Sequence, residues 1–580
     1  MKRHEGRRVP LSRRTFIKIA AASLVSSGWA GRSLASEYGK LPMGMNLTSI
    51  NDWEPGFPFL NLMWGARVWL TRALSGDGPF NSELEEYVDL DPDGYPLEIP
   101  FRPPAPHLPS YVFTLLPNTL APGTYVILYD GDGQIAVDGG SRILEAAPGR
   151  IVISMAHRGG DRLEELSIRR SKRGDHVRNV RVLPLAHEHA DLDRNPFVPE
   201  FVDFCRPWHC LRFMDWLGTN DSVNRKWDLR KRRSFYTQVG VEGDLLGLSG
   251  TPLKTSMRRW PSGVAVELCV QLANLVKTDA WICVPHLADD DYIRQMAELI
   301  KNSLDPQLKV YVEFSNEIWN WQFSQAQWML RSELAGDLVA SHGERQPWKD
   351  GRRPARFEDG IVVAGEGEGA DHPHRIAALF RRCFRIWEEV FDGADRERLV
   401  RVCAVQAGWA ETAHRTLSWV MRNGGCDALA PSGYFGANDE IYKRWDVAGS
   451  ALTSEDVIAD MRTVVEAQRQ VTAEMKSFAS EAGVRLVVYE GGQHIQPQQQ
   501  DEKPYNHALA AVQKHPAMYD LYREHLTEFA RAGCSLFCAF SSVSRQGTRW
   551  GSWGHVEAYG QDPAVMPKYR AILDANIERT

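Results

Sequence analysis

After residue 190, short apolar segments alternate with longer amphipathic segments, and this alternation constrains the fold more than any other feature of the sequence. It is typical of βα units arranged around a parallel sheet. Helical periodicity is clearest in residues 264–277, 292–303, 375–391 and 454–482. The predicted strands are residues 43–47, ahead of this region, and residues 211–216, 280–286, 310–316, 399–405, 428–434, 485–489 and 534–540 within it.

Eight strands alternating with helices predict a (β/α)8 TIM barrel of the α/β class, and an open doubly wound sheet is the alternative. Residues 85–188 interrupt the alternation with short runs of β-branched residues separated by Asp-Gly turns. We therefore predict an inserted all-β accessory module at 85–188. The first barrel strand and the segment after it occupy 41–75, and the remainder of the barrel occupies 190–580.

The amino-terminal residues 1–35 are predicted to be a targeting signal rather than part of the fold. The segment from Ser12 to Lys18 resembles the twin-arginine consensus, with Arg13 and Arg14 as the pair, and a short apolar stretch and small residues follow it. The apolar stretch is too short to span a bilayer. The prediction is export by the twin-arginine machinery to the periplasm or the exterior of a bacterial cell, and the alternative is a chance Arg-Arg pair.

The composition is that of an ordinary globular protein, with 43% hydrophobic residues, 24% charged residues and a formal net charge of -6. This balance disfavours a nucleic-acid partner, and no segment is predicted to span a membrane. A chain folded before export keeps its thiols reduced, so Cys283, Cys403, Cys534 and Cys538, all in apolar runs, are predicted to be buried. No metal-ligand spacing occurs, and no cofactor is expected.

Two predicted strands end in a glutamate: the sequence VYVEFSNEIW carries Glu317 after the fourth strand, and LVVYEGG carries Glu490 after the seventh. This pair resembles the catalytic pair of the clan A retaining glycoside hydrolases. The chain, including its GMNLTSINDW segment, is similar to poorly characterised bacterial secreted members of that clan. The resemblance implies a (β/α)8 barrel with Glu317 as acid/base and Glu490 as nucleophile.

The spacing of the two glutamates along the chain is compatible with this chemistry, because the carboxyl ends of barrel strands share one rim. A retaining glycosidase needs one protonated carboxyl for the leaving oxygen and one carboxylate to attack the anomeric carbon. Strand alternation predicts that Glu313 lies on the same side as Glu317 but deeper, as a supporting or buried paired carboxylate rather than a catalytic one.

The resemblance also implies supporting residues. Asn316 is expected to bind the sugar 2-hydroxyl, and Tyr434 is expected to hydrogen-bond to Glu490. His286 and Arg212 either contact the substrate or have structural roles, with Asp215 as a possible ion-pair partner of Arg212. The aromatic residues predicted to stack on sugar are Trp550 and Trp553, ahead of Trp319 and Trp321, which follow the acid/base residue.

The sequence therefore predicts a retaining glycoside hydrolase that cleaves a β-linked polysaccharide or oligosaccharide. One alternative is an exported carbohydrate-binding protein that has the barrel without turnover. Another is a cell-surface scaffold with the β module as its interaction domain. Residues 335–374, rich in Gly, Arg and Glu, are interpreted either as a lid or cleft wall or as a disordered segment.

Overall fold

The computed structural model describes residues 38–117, 122–155, 164–240, 260–343, 356–358, 361–363 and 372–579. The predicted signal at 1–35 lies outside these residues. The strands are β1 (Met43–Asn46), β2 (Leu70–Ala73), β3 (Ser110–Leu115), β4 (Gly123–Asp130), β5 (Gly133–Asp138), β6 (Arg142–Ala147), β7 (Arg150–Met155), β8 (Glu165–Ser171), β9 (Arg178–Pro184), β10 (Cys210–Arg212), β11 (Asp279–Val284), β12 (Val310–Phe314), β13 (Arg356–Glu358), β14 (Ile361–Val363), β15 (Leu399–Val405), β16 (Ala428–Pro431), β17 (Gly433–Gly436), β18 (Arg485–Leu486), β19 (Val488–His494) and β20 (Phe537–Ala539).

The helices lie mostly between successive strands of the second half of the chain. They are α1 (Pro199–Cys205), α2 (Val266–Val276), α3 (Asp290–Ser303), α4 (Ser324–Arg331), α5 (Glu333–Ser341), α6 (His372–Val390), α7 (Ala410–Arg422), α8 (Asp439–Ala448), α9 (Ser454–Glu481), α10 (Asn506–Ala511), α11 (Ala517–Arg531) and α12 (Pro567–Ala575). None of the described helices is long and apolar enough to cross a membrane.

The largest sheet has ten strands in the order β17-β19-β20-β1-β10-β11-β12-β15-β16-β18, and every pairing in it is parallel. The sequence predicted eight strands. The difference arises because Ser432 separates β16 from β17 and Val487 separates β18 from β19. With helices between its strands, this curled sheet is consistent with an α/β barrel.

The core of this sheet follows from its sequence. Every residue of β12 and β15 is buried, as expected for parallel strands covered on both faces. At Gly44 in β1, an added Cβ would lie 2.9 Å from the carbonyl oxygen of Cys210 and 2.6 Å from Cys538 Sγ, so only glycine fits between the neighbouring strands. The predicted burial of the four cysteines is confirmed.

Two separate four-stranded antiparallel sheets, β2-β3-β8-β5 and β6-β7-β4-β9, form the accessory all-β part. Most of their apolar residues pack in a cluster separate from that of the parallel sheet, with Phe57 in contact with both. β2 belongs here although it precedes residue 85, because its residues pair with β3.

The segment 335–374 is more regular than predicted. α5 covers its beginning, because the Ser332 side chain accepts a hydrogen bond from the Ala335 backbone N–H and caps the helix. β13 and β14 form an antiparallel hairpin, and α6 begins at His372. The rest of the segment lies outside the described residues, so neither the lid nor the disorder interpretation is tested.

Candidate active site

The two predicted catalytic glutamates lie at the carboxyl edge of the parallel sheet. β12 ends at Phe314, and the backbones of Ser315 (φ 64°) and Glu317 (φ 41°) adopt the left-handed conformation. Such conformations are uncommon for residues other than glycine and mark a sharp change of chain direction. β19 instead continues through Glu490, and its register against β20 shifts between Val488 and Gly491.

Arg212, at the end of β10, is fully buried and binds Glu490 and Glu313 together. Its Nη1 donates to Glu490 Oε2 at 3.0 Å, and its Nη2 and Nε donate to Glu313 Oε2 at 2.8 and 3.1 Å. The remaining contacts go to Asn46 Oδ1 at 2.9 Å and Asn316 Oδ1 at 2.8 Å. Arg212 is therefore a shared buried cation, and the predicted pairing with Asp215 is replaced by ion pairs with the two glutamates.

Glu313 is the buried, paired carboxylate that the sequence suggested. Besides Arg212, Trp281 Nε1 donates to Glu313 Oε2 at 2.8 Å. Among the described residues, no hydrogen-bond partner reaches Glu313 Oε1. The Glu313 side chain is 1% exposed, so its carboxylate stabilises the Arg212 cation in the interior rather than at the surface.

The charges of this site shift several pKa values. Burial raises the pKa of Glu490 well above its usual range, the charge of Glu317 adds to the rise, and Arg212 opposes it. Burial also raises the pKa of Asp215 to about 6, again against the effect of Arg212. The pKa of Tyr434 rises through burial and then through the charges of Glu490 and Glu317.

Glu317 is held by two side-chain donors that do not hydrogen-bond to the Glu490 carboxylate. The Tyr489 hydroxyl donates to Glu317 Oε1 at 2.8 Å, and Asn320 Nδ2 donates to Oε2 at 2.8 Å. Trp319 is buried with its ring 6.2 Å from that of Tyr489. Glu317 is only partly buried, whereas Glu490 is 5% exposed, so the two carboxylates differ in solvation as well as in partners.

Asn316 is fixed at both ends of its amide. Its Oδ1 accepts from Arg212, and its Nδ2 donates to Asn220 Oδ1 at 3.1 Å. Gln325 Nε2 donates to Asn220 Oδ1 at 2.7 Å and to the Asn316 carbonyl at 2.9 Å. The side chain thus keeps one orientation beside the two carboxylates.

Trp553 lies beside Tyr434, and Trp550 lies further out. The Trp553 ring is 5.8 Å from the Tyr434 ring, 4.8 Å from that of His494 and 5.6 Å from that of Phe540. Its Nε1 donates to the Trp550 carbonyl at 2.8 Å. Trp550 itself is 56% exposed.

His286 is placed differently from the other predicted site residues. It is buried, and the ring nearest to it is that of Trp328, at 5.6 Å and edge to face. Neither ring nitrogen has a hydrogen-bond partner among the described residues. Burial lowers the pKa of His286 to about 3, which keeps the imidazole neutral.

Among the site residues that were missed from the sequence, three contact the central groups most directly. Asn46 ends β1, and its Nδ2 donates to the Tyr489 carbonyl at 3.0 Å. Asn320 and Tyr489 both hold Glu317. Asn320 could have been found from its place three residues after Glu317, but Tyr489 could not, because alternation predicts that it points away from the face of Glu490. Among the described residues, no group of three or more His, Cys, Asp or Glu could hold a metal.

No protein family matches this sequence, and no curated protein matches it significantly. Among solved structures, the chain is similar to the crystal structure of the GH51 arabinofuranosidase from Xanthomonas axonopodis pv. citri, at 12% identity and a TM-score of 0.36. The match covers 62% of this chain and 64% of that chain, just under two thirds of the neighbour's length. A TM-score this low carries no weight for function, which is therefore argued from the site.

Proposed function

We propose that the protein is a retaining glycoside hydrolase that cleaves a β-linked polysaccharide or oligosaccharide, with Glu317 as acid/base and Glu490 as nucleophile. One observation carries the proposal: two carboxylates at the carboxyl edge of a parallel sheet interact electrostatically while separate sets of donors hold them. Paired carboxylates with different environments are what double displacement requires.

In the first step, the carboxylate of Glu490 attacks the anomeric carbon while Glu317 protonates the departing oxygen. Two carboxylates whose charges repel each other share one proton more readily than they both ionise. Arg212, a permanent cation, contacts Glu490 Oε2 and so favours the negative charge with which Glu490 attacks. The Tyr434 hydroxyl supports the same charge.

In the second step, water hydrolyses the ester on Glu490. Esterification removes the negative charge of Glu490, and Glu317, as a carboxylate, then accepts the proton of the attacking water. Tyr489 and Asn320 both donate to Glu317 and stabilise that charged form. The acid of the first step thereby becomes the base of the second.

We also propose that the ten parallel strands count as the eight strands of a (β/α)8 barrel. β16 and β17 are separated by one residue, as are β18 and β19, so each pair counts as one interrupted strand. The pairings of β16 with β18 and of β17 with β19 then join the two ends of the strand order. On this count, Glu317 follows the fourth strand and Glu490 lies in the seventh.

The second candidate is an exported carbohydrate-binding protein without turnover. The observation that favours it is the raised pKa of Glu490, because protonation removes the charge with which a nucleophilic carboxylate attacks. The twin-arginine signal predicted at 1–35 is part of both proposals and is tested separately.

The experiment measures hydrolysis of a panel of aryl β-glycosides and polysaccharides by the wild type, Glu490→Gln and Glu165→Gln. Glu165 is the matched control, because it is a buried glutamate with an arginine partner, Arg72 at 3.1 Å, in the accessory sheet. We expect turnover by the wild type and Glu165→Gln and none by Glu490→Gln. Binding without turnover by the wild type would establish the second candidate, and unchanged activity of Glu490→Gln would contradict the mechanism.

A further inference from the structure

Among the described residues, the tryptophans that reach solvent all lie at one edge of the parallel sheet. Most of the tryptophans that the structure describes are buried. Each of the others lies in a loop after the carboxyl end of a parallel strand: β1, β10, β12, β15 or β20. They are Trp53, Trp227, Trp321, Trp409, Trp550 and Trp553. Parallel strands place these loops at the edge where Glu317 and Glu490 lie.

Trp321 and Trp409 form a cluster on the β12 and β15 side of this edge. Their ring centroids are 6.4 Å apart and nearly perpendicular, and the His372 ring lies 5.5 Å from Trp321 and 4.9 Å from Trp409. Both indoles are partly exposed, and Trp321 lies four residues after Glu317. The edge-to-face contact fixes the orientation of each ring.

Trp550 lies on the other side of the carboxylates. It follows β20, which pairs with β19, the strand that carries Glu490. Its ring is 56% exposed, and the Arg549 guanidinium is 4.4 Å from its centroid. Trp409, by contrast, follows β15, the neighbour of the strand that precedes Glu317.

We propose that Trp321 and Trp409 on one side, and Trp550 on the other, bind sugar rings of a single glycan chain that crosses the two carboxylates. Sugar rings present apolar C–H faces that stack on indoles, and large exposed indoles are otherwise unfavourable in water. Binding on both sides of the reacting bond favours cleavage within a chain. This last point, internal cleavage, rests on the proposed hydrolase function, whereas the binding surface does not.

Trp227 provides a matched control from the same edge. The Arg230 guanidinium lies 3.9 Å from its ring centroid, and the Tyr292 ring packs edge to face at 5.2 Å. The Arg230 side chain is 12% exposed and pairs with Glu267 at 2.6 Å, so this cation is held over the Trp227 ring. Arg549 beside Trp550 is instead exposed. Trp227 is therefore excluded from the proposed surface.

The affinity of the full chain is first measured by electrophoresis in gels that contain xylan, β-glucan, β-mannan or β-galactan. Calorimetry then measures binding of the β-linked disaccharide and hexasaccharide of the polysaccharide that slowed the protein. All variants carry Glu490→Gln to prevent turnover. We expect Trp321→Ala, Trp409→Ala and Trp550→Ala each to weaken hexasaccharide binding by roughly 3- to 10-fold, with little change for the disaccharide. Phenylalanine at the same positions should restore part of the affinity, and Trp227→Ala should bind as its parent does.

Retardation by none of the four gels, or equal affinity for the two chain lengths, would overturn the inference, as would alanine variants that bind like the parent. The results that would contradict the hydrolase proposal are different ones. If the wild type cleaves no glycan but the alanine variants lose binding, the surface stands without the enzyme. If the wild type cleaves chains and the alanine variants are unchanged in affinity, the enzyme stands without the surface.

Discussion

Arg212 is the residue on which the charge balance of the site depends. Its guanidinium contacts the buried carboxylates of Glu313 and Glu490. Arg212→Met keeps much of the apolar stem but leaves both carboxylates without their cation, and breaking a buried ion pair in this way costs about 3–5 kcal/mol. We expect the free energy of unfolding, measured with urea, to fall by about that amount.

A second substitution checks that the loss is electrostatic. Adding Glu313→Gln to Arg212→Met removes one of the two unpaired buried carboxylates. The double variant should therefore regain part of the lost free energy of unfolding. A double variant less stable than Arg212→Met alone would show that packing, rather than unpaired charge, accounts for the loss.

Glu490 provides a pH test with a definite sign. Its pKa is raised in the folded protein, chiefly by burial and then by the charge of Glu317, above the value of about 4.3 expected in the unfolded chain. The folded state therefore binds the Glu490 proton more tightly than the unfolded chain does. The unfolding free energy of the wild type consequently falls as the pH rises above about 4.3. Glutamine does not titrate.

We expect the melting temperature of Glu490→Gln, relative to that of the wild type, to rise between pH 4 and pH 7. Thermal unfolding followed by circular dichroism measures this difference. A relative melting temperature that falls over the same range would mean that the ion pair with Arg212 outweighs burial and lowers the pKa of Glu490.

At this scale the sequence indicated the two glutamates at the carboxyl edge of the sheet but not the contacts between strands. Glu317 and Glu490 are recognisable from their own strands, and Tyr434 was predicted to bond to Glu490. Tyr489 was missed because the register shift beside it changes which way its side chain points. The partners of Arg212 could not be predicted either, because they come from three other strands or their ends.

At the scale of elements, α12 supports the loop that carries Trp550 and Trp553. Lys568, in the first turn of α12, is fully buried, and its Nζ donates to the Ser552 carbonyl at 2.7 Å and to Gln513 Oε1 and Gln546 Oε1 at 3.0 and 3.1 Å. Burial lowers the pKa of Lys568 to about 7, because the buried ammonium loses its hydration. The three oxygens compensate for that loss.

Lys568→Met should loosen this loop, because the two glutamine oxygens lose a buried donor. We expect a loss of about 1–3 kcal/mol in unfolding free energy and faster hydrogen exchange at Gly547 and Gly554. Lys514→Met is the surface control, since Lys514 is 55% exposed and pairs with Glu557, and it should change stability by less than about 1 kcal/mol. Unchanged hydrogen exchange in Lys568→Met would show that Lys568 does not stabilise this loop.

Element boundaries were predicted well where capping residues mark them. Asp289 accepts from the Tyr292 N–H at the start of α3, and Thr453 with Asp456 forms a capping box at the start of α9. Strand ends were predicted less well: the last strand was predicted at 534–540, but β20 covers only Phe537–Ala539. Apolar composition does not show where a strand leaves its neighbour.

At the scale of the whole molecule, the sequence predicted βα alternation and an all-β insertion, and both follow from local patterns. The sequence did not reveal that two strands are each interrupted by one residue, because Ser432 and Val487 look like ordinary strand residues. Their interruption depends on pairing with neighbours distant in sequence, which a local pattern does not contain.

Export is predicted from residues 1–35 alone and is tested by changing the arginine pair there. Replacing Arg13 and Arg14 together by lysine preserves the charge of the predicted signal but removes the guanidinium pair of the twin-arginine consensus. We expect the Lys-Lys variant to stay in the cytoplasm when cell fractions are compared by immunoblotting. Its appearance outside the cytoplasm at the level of the wild type would contradict the predicted localisation.

The central claim is a retaining mechanism with Glu317 as acid/base and Glu490 as nucleophile. The most direct test measures how fast Glu317→Ala hydrolyses a dinitrophenyl β-glycoside with and without azide. General acid catalysis contributes about 10² to 10⁴-fold when the leaving group is poor, and an activated leaving group does not need it. The variant should therefore form the ester on Glu490 but hydrolyse it slowly. Azide needs no base, so it should restore the rate and give a β-glycosyl azide. Equal losses with good and poor leaving groups, without rescue by azide, would contradict the claim.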